Sequence, residues 1–323
     1  MIRALALLPA ICVVVLAGMA LPVQAAAPEG PQITVLADGF GTGFGRDIIT
    51  MGANGKSPQA VIKEAGWSRL SWSADGSLLA FGSFGDWDGE VVAVDEVHSS
   101  GLRFYRRASF EGDNPVMAPD GHTVAYLHKG SIWLLNVMSG SVRRATPWRL
   151  QTDFEPSSFS PDGSKLAGTT YGQRGLEAVA VDLHTGHVSL LAWEASEPVY
   201  SPDGSEVAFI RWKNWRASGV DDGSPPIDEL RVTRVGTFPR SRLLRRSHKL
   251  LAWPSWDPSG QRLAFTRTRV VENGYTDPKK GDALMAINAD GTCLKKVYTD
   301  PETTLYSAAW QPGPGREAGP ISC

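Results

Sequence analysis

Cysteine is scarce, with 3 in 323 residues, and no two of them form a Cys-x-x-Cys pair. That absence removes zinc-ribbon and thioredoxin-type readings. Catalytic signatures are lacking too. There is no His-Glu-x-x-His and no Gly-x-Ser-x-Gly, so neither a helical zinc-protease site nor a hydrolase nucleophile elbow has support. Neither sign of charge dominates: Lys+Arg 32 against Asp+Glu 34 leaves a formal net charge of -2. No strong field draws such a chain to nucleic acid. Charged residues make up only 20% of the sequence and hydrophobic residues 42%, which excludes a disordered chain. What the sequence holds in quantity is 34 glycines and 22 prolines. They lack the every-third-residue order of collagen, so they belong in turns.

Only the N-terminus carries a long apolar run. Arg3 is the sole charge before an apolar stretch from Ala4 to Leu21, and Val23-Gln24-Ala25 then sets small residues at the −3 and −1 positions of a signal-peptidase site. Residues 1–25 are expected to be a signal peptide cleaved after Ala25, the alternative being an uncleaved anchor helix. The mature chain is then exported, to the periplasm or the extracellular space, with no membrane span. It keeps Cys293 and Cys323, an even number in an oxidising compartment, and a disulfide between them is expected.

An internal repeat organises the rest. Trp72-Ser73-Ala74-Asp75-Gly76 precedes Leu79-Ala80-Phe81, and Met117-Ala118-Pro119-Asp120-Gly121 precedes Val124-Ala125-Tyr126. Phe159-Ser160-Pro161-Asp162-Gly163 precedes Leu166-Ala167-Gly168, and Tyr200-Ser201-Pro202-Asp203-Gly204 precedes Val207-Ala208-Phe209. Trp256-Asp257-Pro258-Ser259-Gly260 precedes Leu263-Ala264-Phe265. Each copy reads as a β-hairpin: a bulky core residue, a turn with proline at its first corner (alanine in the first copy) and left-handed glycine, then a strand that narrows at alanine. The turn glycines lie 45, 42, 41 and 56 residues apart. Further strands follow each hairpin, as in Ile132–Leu135 and Ala178–Val181. Four strands per roughly 42 residues is the arithmetic of a propeller blade.

The two ends complete the count. Tyr306–Trp310 followed by Gln311-Pro312-Gly313 reads as the start of a sixth copy, and Ile48–Met51 followed by Ala53-Asn54-Gly55 reads as the second half of a blade. The expected fold is all-β, a six-bladed β-propeller of four-stranded antiparallel blades, the last closed by the N- and C-terminal strands. Residues 26–44 are expected as a flexible lead-in, 45–313 as the propeller and 314–323 as a C-terminal tail.

These Ser-Pro-Asp-Gly turns with apolar-Ala-aromatic strands resemble the WD40-like, or PD40, repeats of the TolB-type six-bladed propeller, over about residues 45–313. The resemblance implies the fold. The same repeat occurs in peptidase propellers and carbohydrate-active proteins, so function has to be read from sites. TolB-type proteins carry a further N-terminal α/β domain that docks a membrane partner, for which the roughly twenty residues between signal peptide and first propeller strand leave no space.

Candidate sites follow from the architecture. Asn114, Glu155 and Glu197, with Asp113 adjoining, are read as equivalent positions at the channel mouth, either holding a cation or a basic side chain or forming a hydrated mouth with no specific ligand. Long insertions, from Arg211 to about Glu229 and from Thr266 to Asp282, are expected on the face opposite the turns. Their Trp212, Trp215, Arg216 and Tyr275 suit a protein or glycan partner, the alternative being tryptophans packed on their own blade. Asp86, Asp88 and Glu90 alternate in a manner that hints at calcium, without an EF-hand pattern. The basic run from Arg231 to Lys249 is read either as a polyanion site or as an outer, solvated strand, and His184 and His187 flank a turn with no third metal ligand nearby in sequence. No catalytic or metal-binding set is assigned. The expectation is a monomeric, cofactor-free binding scaffold with a protein, envelope or glycan partner; the alternative is a polysaccharide lyase or glycosidase with residues drawn from several blades.

Overall fold

The computed structural model describes residues 31–38, 46–66, 69–84, 90–97, 104–145, 154–172, 174–213, 227–268, 282–301, 303–313 and 319–323. It is an all-β ring of six blades. The described chain starts inside the closing blade, with β1 (Gln32–Asp38), β2 (Arg46–Gly52) and β3 (Gln59–Ala65). Blade 1 follows as β4 (Ser71–Trp72), β5 (Leu78–Phe84), β6 (Glu90–Val97) and β7 (Phe104–Glu111), and blade 2 as β8 (Asp113–Met117), β9 (Thr123–His128), β10 (Ser131–Asn136) and β11 (Val142–Arg144). Blade 3 is β12 (Glu155–Phe159), β13 (Lys165–Gly172), β14 (Gly175–Asp182) and β15 (Val188–Trp193). Blade 4 is β16 (Ala195–Tyr200), β17 (Glu206–Lys213), β18 (Ile227–Arg234) and β19 (Arg242–Ser247). Blade 5 is β20 (Leu250–Trp256), β21 (Arg262–Thr268), β22 (Ala283–Asn288) and β23 (Lys295–Tyr298). Last, β24 (Thr304–Gln311) pairs antiparallel with β1 and becomes the innermost strand of blade 6.

The ring is therefore closed by one C-terminal and three N-terminal strands. The lead-in expected over 26–44 contains one of them: Gln32 to Ala37 are all buried in β1, which is bonded to β24 on one edge and β2 on the other. The propeller starts at Gln32, not at 45. A strand buried on both faces loses the polar-apolar alternation that marks half-buried strands, so Gln32–Asp38 carries little periodic signal.

The turn motif is a self-contained polar unit. In blade 4 the Ser201 hydroxyl donates to Asp203 (2.6 Å) and accepts the backbone N–H of Glu206 (3.0 Å), while Asp203 accepts the Ser205 N–H (3.1 Å). Blades 1 and 3 repeat this with Ser73–Asp75 and Ser160–Asp162. In blade 5 the aspartate and serine trade places: Asp257 accepts both the Arg262 N–H (2.8 Å) and the Ser259 hydroxyl (2.6 Å). Hydrogen bonds from Ser160 and Ser164 hold the Asp162 carboxyl down at about 2. Glycine is required at Gly76, whose φ is +71° and where a Cβ would lie 2.1 Å from the carbonyl oxygen of Pro312 in the closing strand's turn.

Blades stack through the alanine of the repeat. Ala80, Ala167 and Ala264 are fully buried. Each belongs to a cluster with large side chains of the next blade: Ala80 with Met117 and Val124, Ala167 with Tyr200 and Phe209, Ala264 with Ile33 and Trp310. A larger residue there would overpack the joint.

A disulfide joins Cys293 to Cys323, with Cα atoms 5.0 Å apart. Ile321 pairs with the Asn288 side chain through its N–H (2.7 Å) and its C=O (3.0 Å). The C-terminal residues Ile321 and Cys323 are thus fastened to blade 5. A bridge across 30 residues restricts the unfolded chain by about 3 kcal/mol on loop entropy.

Candidate functional site: the channel and its floor

The turn-face end of the ring axis holds a cavity of about 540 Å³ to which all six blades contribute. Its walls are the bulky residues that open each repeat: Trp72, Met117, Phe159, Tyr200, Trp256 and Trp310. Its rim is Pro119, Pro161, Pro202, Pro258 and Pro312, with Ala74 in the sixth place. The same residues that nucleate the hairpins therefore shape a proline-framed funnel. Arg69 and Tyr200 are the titratable groups among its lining residues. Burial raises the Tyr200 hydroxyl to about 12, which keeps it a neutral phenol at any ordinary pH.

Three serines stitch the funnel wall. Ser71, Ser158 and Ser255 accept the backbone N–H of Met117 (2.9 Å), Tyr200 (3.1 Å) and Trp310 (3.4 Å), each on the next blade. The positions between them carry Val116, Val199 and Ala309. Serine and apolar residues thus alternate around the axis, and the six-fold ring has a three-fold polar pattern. That alternation is visible in the aligned repeats once the position one residue before each bulky residue is compared.

The funnel ends on Arg69, which is 7% exposed. Arg69 stands three residues before Trp72, and its counterparts before the other bulky residues are Asn114, Pro156, Glu197, Trp253 and Ser307. A β-bulge falls at this level in β8, β12, β16 and β20. Asn114, Glu197 and Trp253 adopt φ of 47°, 55° and 57° there, a left-handed conformation unusual for such side chains. The guanidinium of Arg69 lies 5.0 Å from the centroid of the Trp253 ring, a cation–π contact reaching from blade 1 to blade 5. Glu197, on blade 4 opposite, accepts the Trp253 backbone N–H and has its own N–H bonded to Thr169 Oγ1 (2.9 Å). Burial pulls the Arg69 pKa below its ordinary value, and the charges of Glu197 and then Glu155 oppose it. Burial pushes Glu197 up, against the pull of Arg69. The basic side chain that the channel-mouth reading allowed for is Arg69. Its only sequence signal is the shared spacing to the turn.

The four expected channel-mouth residues separate on inspection. Glu197 is part of the floor. Glu155 is exposed and one register step away: it pairs with Thr169 as Asp113 pairs with Leu127, so its equivalents are Asp113 and Ser196, while Pro156 matches Asn114 and Glu197. Glu155 stands four residues before Phe159, as Asp113 and Ser196 stand four before Met117 and Tyr200, so grouping it with Asn114 and Glu197 set it one place out of its row. Asp113 and Asn114 bond locally, Asn114 donating its backbone N–H (2.6 Å) and Nδ2 (3.3 Å) to the Asp113 carboxylate.

Trp212 is half-buried on β17 and packs against the core shared by blades 4 and 5, the alternative the sequence left open. Trp215, Arg216 and Tyr275, and the acidic alternation at Asp86 and Asp88, lie outside the described residues. Among the described residues no group of three His, Cys, Asp or Glu side chains is placed to hold a metal ion, and no helix is long and apolar enough to cross a membrane.

Below the floor, between blades 4 and 5, the buried Asp228 carboxylate accepts the Leu251 N–H (2.8 Å), and Asp282 repeats the latch on Leu305 N–H (3.2 Å) between blades 5 and 6. Burial raises Asp228 to about 6. A carboxyl whose folded pKa exceeds its unfolded value binds its proton more tightly in the native state, so its contribution to stability grows as pH falls from above 6 towards 4. Asp228→Asn keeps the acceptor and removes the charge. Its stability is expected to exceed the parent's by roughly 1–3 kcal/mol at neutral pH, with the gain shrinking towards pH 4. Urea titrations across that range check it; parallel parent and variant profiles would count against a raised Asp228.

A proline-rimmed funnel on the axis of six four-stranded blades, floored by a buried arginine, defines the class: a closed six-bladed β-propeller. Within that class its fold is similar to that of TolB proteins. It matches TolB from Acinetobacter baumannii at 18% identity and a TM-score of 0.69, over 87% of this chain and 67% of that one. A chain assigned as TolB from Agrobacterium tumefaciens matches at 16% identity and a TM-score of 0.60, over 88% and 99%. The periplasmic gluconolactonase of Pseudomonas aeruginosa shares the architecture at 11% identity and a TM-score of 0.51, over 88% and 99%. At these identities the likeness is one of fold. No protein-family model and no curated protein sequence matches the chain.

Proposed function

We propose that the protein is an exported binding scaffold whose turn-face funnel receives a segment of a protein partner. The observation that carries this is the lining of the funnel. It is built of aromatic, proline and serine side chains, and its titratable members are an arginine tied to Glu197 and Trp253 and a tyrosine held neutral. Such a surface offers apolar contact and hydroxyl hydrogen bonds but no acid–base pair for turnover. Prolines at the rim lose little entropy on binding, which favours capture of an extended peptide. Export rests on the apolar N-terminal run and on the Cys293–Cys323 bridge. In the enzyme alternative, Glu155 and Glu197 would serve as the acid–base pair; here Glu197 accepts the Trp253 N–H and lies in the field of Arg69.

The test is pull-down from the native envelope with the mature chain and with Pro161→Asp, a rim change outside the blade cores. A specific protein partner lost with Pro161→Asp supports the reading. Partners unaffected by it, capture of glycan alone, or hydrolysis of polysaccharide by the purified chain would overturn it.

A further inference from the structure

We infer that the seam between blades 5 and 6 binds a phosphate or sulfate group, free or carried on a sugar. A cavity of about 370 Å³ opens there, walled by Pro31, residues of the 52–57 turn of blade 6, and Arg262 at the start of β21 in blade 5. Among the described residues no carboxylate lines it, and the charged ones, Lys56 and Arg262, are both cations.

The turn is seated firmly enough to place them. A Cβ at Gly55 would lie 1.8 Å from the carbonyl oxygen of Val297 on β23, so the blade 6 turn rests directly on blade 5 and carries Lys56 over the seam. Asn54 accepts the Lys56 backbone N–H with Oδ1 (3.0 Å), leaving its NH2 as a further donor. Arg262 is half-buried, with its guanidinium 4.9 Å from the Trp310 ring centroid, and its shielded Nε has no partner among the described residues. The carboxylate that offsets Arg262 electrostatically is Asp257, whose oxygens are already used by the Arg262 backbone N–H and the Ser259 hydroxyl. Neither cation forms an ion pair among the described residues.

A guanidinium laid on an aromatic face presents its N–H edge as a flat fork, which matches two oxygens of a tetrahedral anion. An ammonium across the cavity supplies a second charge, and the amide and the Ser57 hydroxyl supply neutral donors. Two cations with neutral donors favour a dianion over a single carboxylate. The volume exceeds that of the bare anion and leaves room for a sugar ring. This site is separate from the funnel and stands whether or not the funnel takes a peptide.

The experiment is thermal unfolding and isothermal titration of the mature protein in inorganic phosphate, sulfate and glucose 6-phosphate, against sodium chloride at equal ionic strength. The expected result is a saturable rise in Tm with the oxyanions that chloride does not reproduce. The affinity should fall at least tenfold in Lys56→Gln, an exposed turn change that leaves the fold intact, and in Arg262→Gln. Tighter binding of the sugar phosphate than of inorganic phosphate identifies a carried group, and equal binding a free one. An equal response to chloride, or oxyanion affinity unchanged in both variants, would overturn the inference.

Discussion

Deletion of Gln32–Asp38 is expected to leave a chain with no cooperative unfolding transition and no native near-ultraviolet circular dichroism. β1 is the second strand of the closing blade, bonded through Gln32–Asp38 to β2 and through most of its length to β24. Ile33, Val35 and Ala37 are fully buried and share a cluster with Leu284 of blade 5 and Trp310 of β24. Without β1 the inner strand β24 has no neighbour in its own blade, and the ring opens along two unpaired edges. The loss exceeds the sum of its contacts, because every other blade depends on a neighbour on each side. A milder version, Val35→Asp, places a charge at a fully buried position and should itself cost several kcal/mol. A deletion variant with an intact calorimetric transition would mean that residues before Arg46 are the lead-in first expected of them.

The second large effect is expected at Glu229, a fully buried carboxylate on β18. Arg231 Nη1 lies 2.7 Å from one of its oxygens; Arg246 Nη2 at 2.6 Å and Lys213 Nζ at 3.4 Å meet the other. Burial alone would raise this carboxyl, but hydrogen bonds from Arg246 and Arg231 and the charges of Arg231 and Lys213 prevail and hold it below its ordinary value. Glu229→Gln keeps the shape and removes the charge, leaving Arg231 buried among donors. Removing one partner from a buried ion cluster costs roughly 3–5 kcal/mol. Most of it should come from Arg231, since Arg246 and Lys213 are about half solvated and contribute little. Because the folded pKa is depressed, the parent's advantage over Glu229→Gln is full above the ordinary glutamate pKa and disappears as pH falls through the folded value. Chemical denaturation near neutrality and in mild acid measures both; a change below about 0.5 kcal/mol would show that the cluster is solvated, as surface pairs are.

Glu229 also illustrates what a linear reading leaves open. The run from Arg231 to Lys249 looks cationic in sequence, with polyanion binding and a solvated strand as its two readings. In the ring, Arg231 and Arg246 converge on Glu229, and Arg242 reaches Glu206 and the Ala289 carbonyl. Cross-strand neighbours, set by the register of β18 and β19, consume charges that counting treats as free. Glu155 shows the complementary case: both its spacing to the turn and its pairing with Thr169 place it one step outside the row of Asn114 and Glu197. Arg69 is the reverse, a residue with no motif of its own that becomes the channel floor because its position recurs in every blade.

The repeat by itself determined the hairpins, the number of blades and the joining of the two ends. Those features follow from short-range chemistry: proline and left-handed glycine at a turn, a serine–aspartate pair to seal it, and an alanine thin enough for the next sheet to lie on. The expected removal of residues 1–25 leaves two of the three cysteines, which admit a single intramolecular pairing, the Cys293–Cys323 bridge. Only the folded ring decided which side chains meet at the axis, that β1 is the closing blade's second strand, and that Lys56 and Arg262 line one cavity at a blade seam. Those outcomes depend on register, bulges and blade-to-blade distance. These quantities are fixed when all six sheets pack together, and no local stretch of sequence carries them.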